Sequence, residues 1–318
     1  MKIVFMGTPE FAVASLEKLL QNNYTIAGVV TVPDKPAGRG QQVQQSAVKK
    51  YALEKGLTLL QPEKLKDEHF LNQLRELKAD LQIVVAFRML PEVVWKMPAL
   101  GTINLHGSLL PQYRGAAPIN WAVINGEKET GVSTFFLQQE IDTGKIIFQE
   151  KTPIGENENV GELHDKLMNI GAELILKTVK AIEKNDFQQI DQLEMIGENG
   201  IIKSAPKIFK ADCRIDWTKS IDEIHDLIRG LSPYPGSFTD FVSGDGKMVS
   251  VKLFSTKKEL IQHYFPVGRI ISDSKNELKI AVKNGFVHIN ELQAAGKKRM
   301  AVHEFLRGFQ LNGKWRVN

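Results

Sequence analysis

The stretch KIVFMGTPEFAVASLEKLL (2–20) decides the fold of the first half of the chain. Its opening apolar run, KIVFMG, predicts a buried strand, and the residues that follow have the spacing of an amphipathic helix. Thr8 can cap this helix and Pro9 can open it. A buried strand that leads directly into a helix is the opening unit of an α/β domain.

Strands and helices continue to alternate along the first part of the chain. Predicted strands cover 25–32, 80–87, 102–108, 132–138 and 145–154, and predicted helices cover 46–56, 68–79 and 160–184. The strands are rich in apolar, β-branched residues, which is typical of a parallel sheet covered on both faces. We therefore predict a Rossmann-like α/β domain with a mostly parallel sheet over residues 1–188.

The pattern changes after the long helix. Residues 189–207 have little periodicity, which predicts a linker. Beyond it, one short helix (221–230) precedes strands separated by turns such as SGDG and KNG. This pattern is typical of an all-β barrel, which we place at residues 208–318.

Length and composition limit the class of protein. The chain has 318 residues, about twice the commonest domain size, so its length predicts two domains. The single cysteine, Cys213, excludes a disulfide framework and a multi-cysteine metal site. No window approaches the roughly 18 apolar residues of a membrane span, and the N-terminal apolar run is too short for a signal peptide. We expect a soluble, cytoplasmic and monomeric chain.

Charge is distributed unevenly along the chain. Residues 201–318 contain 20 Lys and Arg against 12 Asp and Glu, a net charge of +8, whereas residues 1–200 contain 21 against 25, a net charge of −4. A basic second half indicates contact with a polyanion, and uneven surface lysine is the alternative explanation.

Gly7, after the first strand, does not complete a nucleotide-binding fingerprint. A dinucleotide site needs G-x-G-x-x-G, and here Thr8 and Pro9 follow the glycine. The G-x-x-x-x-G-K-[ST] phosphate loop is absent from the sequence as well. We therefore expect no nicotinamide or flavin cofactor, and we expect no metal cofactor either.

The stretch GTINLHGSLLPQYRGAAP (101–118) contains the strongest candidate site. Asn104, His106 and Ser108 fall on one face of the predicted strand. Polar side chains near the end of a buried strand are costly unless they have partners or a ligand, and open α/β sheets bind ligands at the carboxyl ends of their strands. The alternative is a core histidine beside an asparagine that fastens a loop.

The sequence EIDTG (140–144) is by itself an ordinary turn. Together with Asn104 and His106, however, Asp142 supplies a carboxylate. An amide, an imidazole and a carboxylate suffice for direct acyl transfer to an amine, because they provide donors for the oxyanion and a base for the ammonium proton. Since no serine lies in a G-x-S-x-G context and Cys213 lies beyond the linker, we predict attack by the acceptor itself, without an acyl-enzyme.

These residues resemble the folate-dependent formyltransferases, through NLHGSLLPQYRGAAPINWA (104–122) and DTGKII (142–147). The branch of that family that acts on methionyl-tRNA is matched by the N-terminal 19 residues and by four further segments. These are VPDKPAGRG (32–40), PKIFKADCRIDW (206–217), LSPYPGS (231–237) and GKKRMAVHEFLRG (296–308). The resemblance implies a formyltransferase domain followed by a β-barrel of oligonucleotide-binding (OB) type.

The resemblance also implies an activity, formyl transfer from 10-formyltetrahydrofolate to the α-amino group of methionyl-initiator tRNA. Asp142 would act either as the base or by holding His106 protonated. The implied catalytic residues are Asn104, His106 and Asp142, the folate-binding residues are Ser108, Leu109, Leu110 and Pro111, and the tRNA-binding residues are Arg39, Lys207 and Lys210.

Two stretches depart from the family pattern. Glutamines and a valine (41–45) follow PAGRG, where the family often has lysines. Phe87 and Arg88 replace a Tyr-Gly pair in the folate-pocket wall. The alternative functions are formyl transfer to an amino-sugar nucleotide, hydrolysis of formyltetrahydrofolate, and tRNA binding without catalysis.

Overall fold

The computed structural model describes residues 1–37, 42–196, 200–311 and 314–318. Within these ranges the chain forms two compact units. The first contains Met1–Pro118, Gly131–Thr152 and His164–Ser204, and the second contains Ile119–Thr130, Pro153–Leu163 and Ala205–Asn318. Two short segments of the front half therefore belong to the second unit, a feature that sequence periodicity does not reveal. We keep the sequence-based domain limits, 1–188 and 208–318 with a linker at 189–207, as a proposal.

The elements up to residue 205 include every strand and helix predicted above for this part of the chain, together with short strands that were not predicted. They are β1 (Lys2–Gly7), α1 (Glu10–Gln21), β2 (Thr25–Val30), β3 (Lys35–Ala37), β4 (Gln42–Gln44), α2 (Ala47–Glu54), β5 (Leu59–Leu60), α3 (Glu68–Glu76), β6 (Leu81–Val85), α4 (Glu92–Trp95), β7 (Thr102–His106), β8 (Arg114–Gly115), α5 (Pro118–Ile124), β9 (Glu129–Phe136), β10 (Ile146–Pro153), α6 (Val160–Lys184) and β11 (Ser204–Ala205), with a 3₁₀ helix at Gln192–Met195.

The start of α1 differs from the prediction. Pro9 has an extended backbone (ψ 178°) and is itself the N-cap, so the first helical residue is Glu10. The N-cap position makes no side-chain capping hydrogen bond and is occupied by Pro9, so the predicted cap by Thr8 is wrong. Gly7 has a packing role here, because a Cβ at this position would lie 2.5 Å from the Cβ of Ala12. The glycine lets α1 approach the end of β1.

The sheet of the first unit has seven strands in the order β10-β9-β7-β6-β1-β2-β5. The five strands β7, β6, β1, β2 and β5 are parallel to one another, and β9 runs antiparallel to β7. Strand β6 is buried along its whole length, as expected for a strand covered on both faces. The mostly parallel Rossmann-like sheet is confirmed, and β7 ends at His106.

The elements after residue 205 form an antiparallel barrel. They are a 3₁₀ helix at Lys210–Cys213, α7 (Ile221–Gly230), β12 (Ser237–Ser243), β13 (Met248–Leu260), β14 (Ile270–Ser272), β15 (Leu278–Val282), β16 (Gly285–Ala294), β17 (Met300–Ala301), α8 (Val302–Gly308) and β18 (Trp315–Val317). The sheet order is β14-β15-β16-β13-β12-β18, with β17 beside β16. A bridge between Arg269 and Arg316 connects the two ends, so the barrel is nearly closed, which confirms the prediction.

Sequence signals account for helix α7 of this unit. Helix α7 begins where Ser220 and Glu223 form a capping box, each side chain accepting from the other's backbone N–H. Its buried face packs with the apolar interior of the barrel, which includes Phe241 and Trp315. Across the four described ranges, no helix is long and apolar enough to cross a membrane.

Candidate active site

Asn104 and His106 lie on one face of β7, two residues apart at its carboxyl end. Asn104 is half-buried, and its side-chain amide makes no hydrogen bond to the parts of the chain that the structure describes. His106 is 6% exposed. The predicted placement of this pair on one strand face is confirmed by β7.

The hydrogen bonds of His106 fix the roles of its two ring nitrogens. Nε2 lies 2.8 Å from the carbonyl oxygen of Tyr113. Because a carbonyl only accepts, Nε2 must be the donor and carries a hydrogen. Nδ1 faces Asp142, with 3.7 Å between Nδ1 and Oδ2. His106 can therefore offer a second N–H, on Nδ1, only as the imidazolium.

Asp142 is held in the turn between β9 and β10. Its φ of +55° is in the left-handed region, which is uncommon for a residue other than glycine. Its Oδ2 accepts from the backbone N–H of Gly115 at 3.0 Å. Gly144 is required in the same turn, because a Cβ there would lie 1.7 Å from the carbonyl oxygen of Phe136. The ordinary turn sequence thus places a carboxylate beside His106.

Gln192 supports this turn from the segment predicted to be a linker. It is 1% exposed, and its Nε2 donates to the carbonyl oxygens of Asp142 (2.9 Å) and Gly144 (2.8 Å). Its Oε1 accepts from Nε and Nη2 of Arg114, at 3.0 and 2.6 Å. The sequence does not predict Gln192, since nothing in FQQIDQ (187–192) distinguishes it from its neighbouring glutamines.

Ser108 lies beyond the end of β7, so its predicted place on the strand face is wrong. The backbone bends after His106, and the buried Ser108 hydroxyl donates to the carbonyl oxygen of Gln112 at 2.6 Å. The Ser108 carbonyl accepts from the Ser133 hydroxyl at 2.6 Å. Both polar groups of Ser108 therefore stabilise the loop after β7.

The other predicted folate-binding residues follow in the same loop. Leu110 is buried against Phe135 and Ile146, so its side chain belongs to the core. Its N–H donates to the Ser133 hydroxyl, and a cis peptide bond joins it to Pro111. Leu109 is half-buried. The loop can therefore contact a ligand through Leu109 and its main chain rather than through the side chain of Leu110.

A pocket of about 830 Å³ follows the end of β6 in the first unit, lined by residues 65–66 and 88–93. Met89 exposes most of its side chain there. The Arg88 guanidinium donates to the carbonyl oxygens of Pro62 and Glu63, and burial lowers the pKa of this group. The Arg88 that departs from the family pattern is thus anchored to the backbone at one side of an open pocket.

The predicted tRNA-binding residues are separate from these groups in the chain. Arg39 lies outside the described residues. Lys207 and Lys210 belong to the second unit, and both are exposed. In the ranges that the structure describes, no group of three or more His, Cys, Asp or Glu side chains could hold a metal ion.

Two family models match the chain, "Formyl transferase" over residues 1–179 and "Formyl transferase, C-terminal domain" over residues 207–310. The methionyl-tRNA formyltransferase of Bacteroides thetaiotaomicron is 56% identical, and the match covers 100% of this chain and 98% of that protein. The methionyl-tRNA formyltransferase of Flavobacterium johnsoniae is 53% identical over 100% of this chain and 99% of that protein.

Solved structures share the fold at lower identity. WlaRD, a sugar 3N-formyl transferase crystallised with dTDP and 5-N-formyl-THF, has a TM-score of 0.66 and 22% identity, covering 94% of this chain and 99% of that one. HypX from Aquifex aeolicus, in complex with tetrahydrofolic acid, has a TM-score of 0.64 and 18% identity, covering 98% of this chain and 48% of that one. From its sequence matches, the chain belongs to the formyl transferase family, in its methionyl-tRNA formyltransferase branch.

Proposed function

We propose that this chain transfers the formyl group of 10-formyltetrahydrofolate to the α-amino group of methionyl-initiator tRNA in the cytoplasm, as a monomer. The catalytic part of this proposal rests on the pairing of His106 with Asp142 at the end of β7. At the same strand end, the side-chain amide of Asn104 has no partner among the described residues. The full-length identity to methionyl-tRNA formyltransferases supports this acceptor over an amino-sugar nucleotide or water.

The amine of the methionyl group attacks the formyl carbon directly. A carbon–nitrogen bond forms, and the carbonyl oxygen becomes an oxyanion that Asn104 stabilises by donating from its amide. The ammonium proton of the new adduct passes to a base. The adduct then collapses, the bond to N10 of the folate breaks, and N10 takes up a proton as tetrahydrofolate leaves.

The orientation of His106 limits what it can do in this reaction. Because Nε2 donates to Tyr113, only Nδ1 faces the reacting groups. As the imidazolium, with Asp142 ionised beside it, His106 donates from Nδ1 to the oxyanion. As the neutral ring, His106 has no proton on Nδ1 to donate to the oxyanion. Asp142 is then the base, and it accepts the ammonium proton through a water molecule. Both forms require the carboxylate of Asp142.

The folate is proposed to lie against the loop after β7 and the pocket after β6. Ser108, Leu109, Leu110 and Pro111 form the first wall, with Leu110 contributing its main chain. The pocket at 88–93 offers Met89 as apolar surface and Lys66 as a cation for a folate carboxylate. Tetrahydrofolate or formyltetrahydrofolate in two structural neighbours supports a folate as the ligand of this chain.

The tRNA is proposed to meet Arg39, Lys207 and Lys210. Lysines on a surface of net positive charge neutralise phosphates and release counterions. Such contacts fix position and carry no sequence information, so discrimination of the initiator tRNA must come from its acceptor end.

A formylation assay with three acceptors tests this function. The enzyme is incubated with 10-formyltetrahydrofolate and methionyl-initiator tRNA, a dTDP-amino sugar, or buffer alone. We expect formylmethionyl-tRNA in the first reaction and background rates in the other two. Formylation of the sugar nucleotide, or release of formate without an acceptor, would assign one of the alternative functions instead, and tRNA binding without product would indicate a silent binding protein.

A further inference from the structure

A second pocket, of about 680 Å³, lies entirely within the second unit. We call it the barrel pocket. It is lined by residues around the 3₁₀ helix at Lys210–Cys213, by the start of β12, by the middle of β13 and by the end of β16 with the turn after it. No part of the catalytic arrangement on β7 contributes to this lining.

Two aromatic side chains in the lining keep most of their surface in solvent. Phe209 is 63% exposed and Tyr234 is 81% exposed. Other aromatic side chains of the barrel, such as Phe241 and Trp315, are buried in its core. Phe209 and Tyr234 therefore contribute little to folding for their size, and part of the surface of each ring is open to a ligand.

Hydrogen bonds hold the backbone of Phe209 and that of Pro235, the residue after Tyr234. The Phe209 N–H donates to the Asp212 carboxylate at 2.8 Å, and the Phe209 carbonyl accepts from Cys213 Sγ at 3.4 Å. The carbonyl of Pro235, next to Tyr234, accepts from Lys252 Nζ at 2.6 Å. Because the backbone is held, binding a ligand costs little ordering of the main chain.

The charged side chains that line the barrel pocket are cationic. Lys210 and Lys252 belong to the lining, which contains no Asp or Glu side chain among the described residues. Lys207 Nζ lies 5.6 Å from the centre of the Phe209 ring. The nearby Asp212 carboxylate, which accepts from the Phe209 N–H, is outnumbered by Lys207, Lys210 and Lys252. A ligand with a flat apolar face and a negative charge beside it matches this arrangement.

We propose that the barrel pocket binds an unstacked nucleobase of the tRNA, with Phe209 and Tyr234 contacting its face and Lys207 or Lys210 contacting the adjoining phosphate. This inference rests on the proposed tRNA substrate. Aromatic platforms interleaved with lysines are the general means of holding single-stranded nucleotides. An acidic peptide would use the lysines and leave the two ring faces without a partner.

Salt-dependent affinity separates base stacking from phosphate contact. Loss of stacking should weaken tRNA binding by roughly 5- to 150-fold, the range of measured base–aromatic stacking. Since no charge changes, the slope of log affinity against log salt should stay the same. The variants are Phe209→Leu and Tyr234→Leu, singly and together, which retain apolar bulk without an aromatic face. Tyr264→Leu is the matched control, because Tyr264 is a fully exposed aromatic of the same unit outside the barrel pocket.

A second titration does not depend on tRNA. Wild type and the double variant are titrated with a fluorescent adenosine hexanucleotide, and a hexaglutamate peptide is added as competitor. We expect wild type to bind the oligonucleotide, the double variant to bind it far more weakly, and the peptide to compete poorly. Displacement by hexaglutamate at equal concentration would overturn the nucleobase assignment in favour of an acidic peptide.

The outcomes distinguish this inference from the proposed function. If wild type formylates methionyl-tRNA and the double variant binds both tRNA and hexanucleotide as wild type does, the barrel pocket is no nucleobase site and the proposed function stands. Wild type could instead fail both to bind and to formylate the tRNA, yet bind the hexanucleotide, while the double variant does not bind the hexanucleotide. In that case the proposed tRNA substrate is wrong, but the barrel pocket is still a nucleotide-binding site. An equal effect in Tyr264→Leu would also overturn the inference, because the effect would not be specific to the pocket.

Discussion

Two regions of the molecule offer their side chains to ligands in opposite ways. One is the turn that carries Asp142, and the other is the barrel pocket around Phe209. Asp142 is almost enclosed, with its carboxylate and carbonyl held by Gly115 and Gln192. The backbone at Phe209 and next to Tyr234 is held, but both rings are open to solvent. The turn restrains the carboxylate that it offers, whereas the barrel pocket leaves the two aromatic rings that it offers open to solvent.

This difference follows from what each region is proposed to do. Transition-state stabilisation depends on donors placed within a fraction of an ångström in a site that excludes water. Binding of a long polyanion depends on surface area and on the number of phosphates neutralised. Substitutions near Asp142 should therefore act on the chemical rate, and substitutions around the barrel pocket should act on affinity.

The largest effects are expected on β7. Asn104→Ala or His106→Ala should each lower kcat by about 10²–10³, the cost of removing one oxyanion donor. Folate affinity, measured by equilibrium titration, should change little, because both side chains interact most strongly with the transition state. A variant that keeps more than about a third of wild-type kcat would contradict the role of that residue as a donor.

The next largest effect is expected from Gln192, which positions Asp142 without touching substrate. Gln192→Ala removes the donors to the carbonyls of Asp142 and Gly144, so kcat should fall by up to about 10²-fold with KM for tRNA nearly unchanged. Gln189→Ala, an exposed glutamine of the same segment, is the matched control. Equal kcat values for the two variants would leave Gln192 with a purely structural role.

The sequence predicted the site only where local patterns carry the information. Alternation along β7 identified Asn104 and His106, because the side-chain period of a strand is two. Ser108 was misplaced because the bend after His106 depends on hydrogen bonds to Gln112 and Ser133 that are made in the folded chain. Gln192 could not be predicted, since its partners are about 50 residues or more away in the sequence.

Prediction of the fold from the sequence is limited in the same way. The parallel sheet and the barrel followed from periodicity, whereas the assignment of residues 119–130 and 153–163 to the second unit depends on distant contacts. Asn120 donates to the carbonyl of Gly230, and Arg229 donates to the carbonyl of Glu158. Neither hydrogen bond can be recognised from the sequence around its residues.

A smaller effect is expected from the lysines beside the barrel pocket. Replacing Lys207 and Lys210 together with alanine should weaken tRNA binding and make its salt dependence shallower, by roughly one unit of slope for each phosphate that is no longer neutralised. Lys275→Ala with Lys283→Ala removes the same charge from exposed positions of the same unit. Coincident salt plots for wild type and the Lys207/Lys210 variant would exclude these two lysines from the RNA footprint.

The smallest expected effect is on stability and comes from the buried His225. Burial lowers the pKa of His225, and the cations Lys258 and Arg229 lower it further. The unfolded chain takes up this proton near pH 6.5, whereas the folded chain resists it, so the free energy of unfolding should fall as the pH drops below about 6.5. Between pH 7.5 and 5.5, the melting temperature of His225→Gln should therefore fall less than that of wild type.

His303, which is exposed, provides the control for this measurement. His303→Gln should melt with the same pH dependence as wild type. If the melting temperatures of His225→Gln and wild type fall by the same amount between pH 7.5 and 5.5, protonation of His225 contributes nothing to acid sensitivity.

The contrast between the two regions is tested most directly by single-turnover formyl transfer in Asp142→Asn, with tRNA affinity measured on the same samples. Asparagine keeps the shape of the turn and removes the charge that both proposed forms of the site require. We predict a chemical rate at least about 10²-fold below wild type, with the dissociation constant for methionyl-tRNA within about twofold. An Asp142→Asn enzyme that transfers the formyl group at the wild-type rate would contradict the account and leave Asp142 as a turn residue.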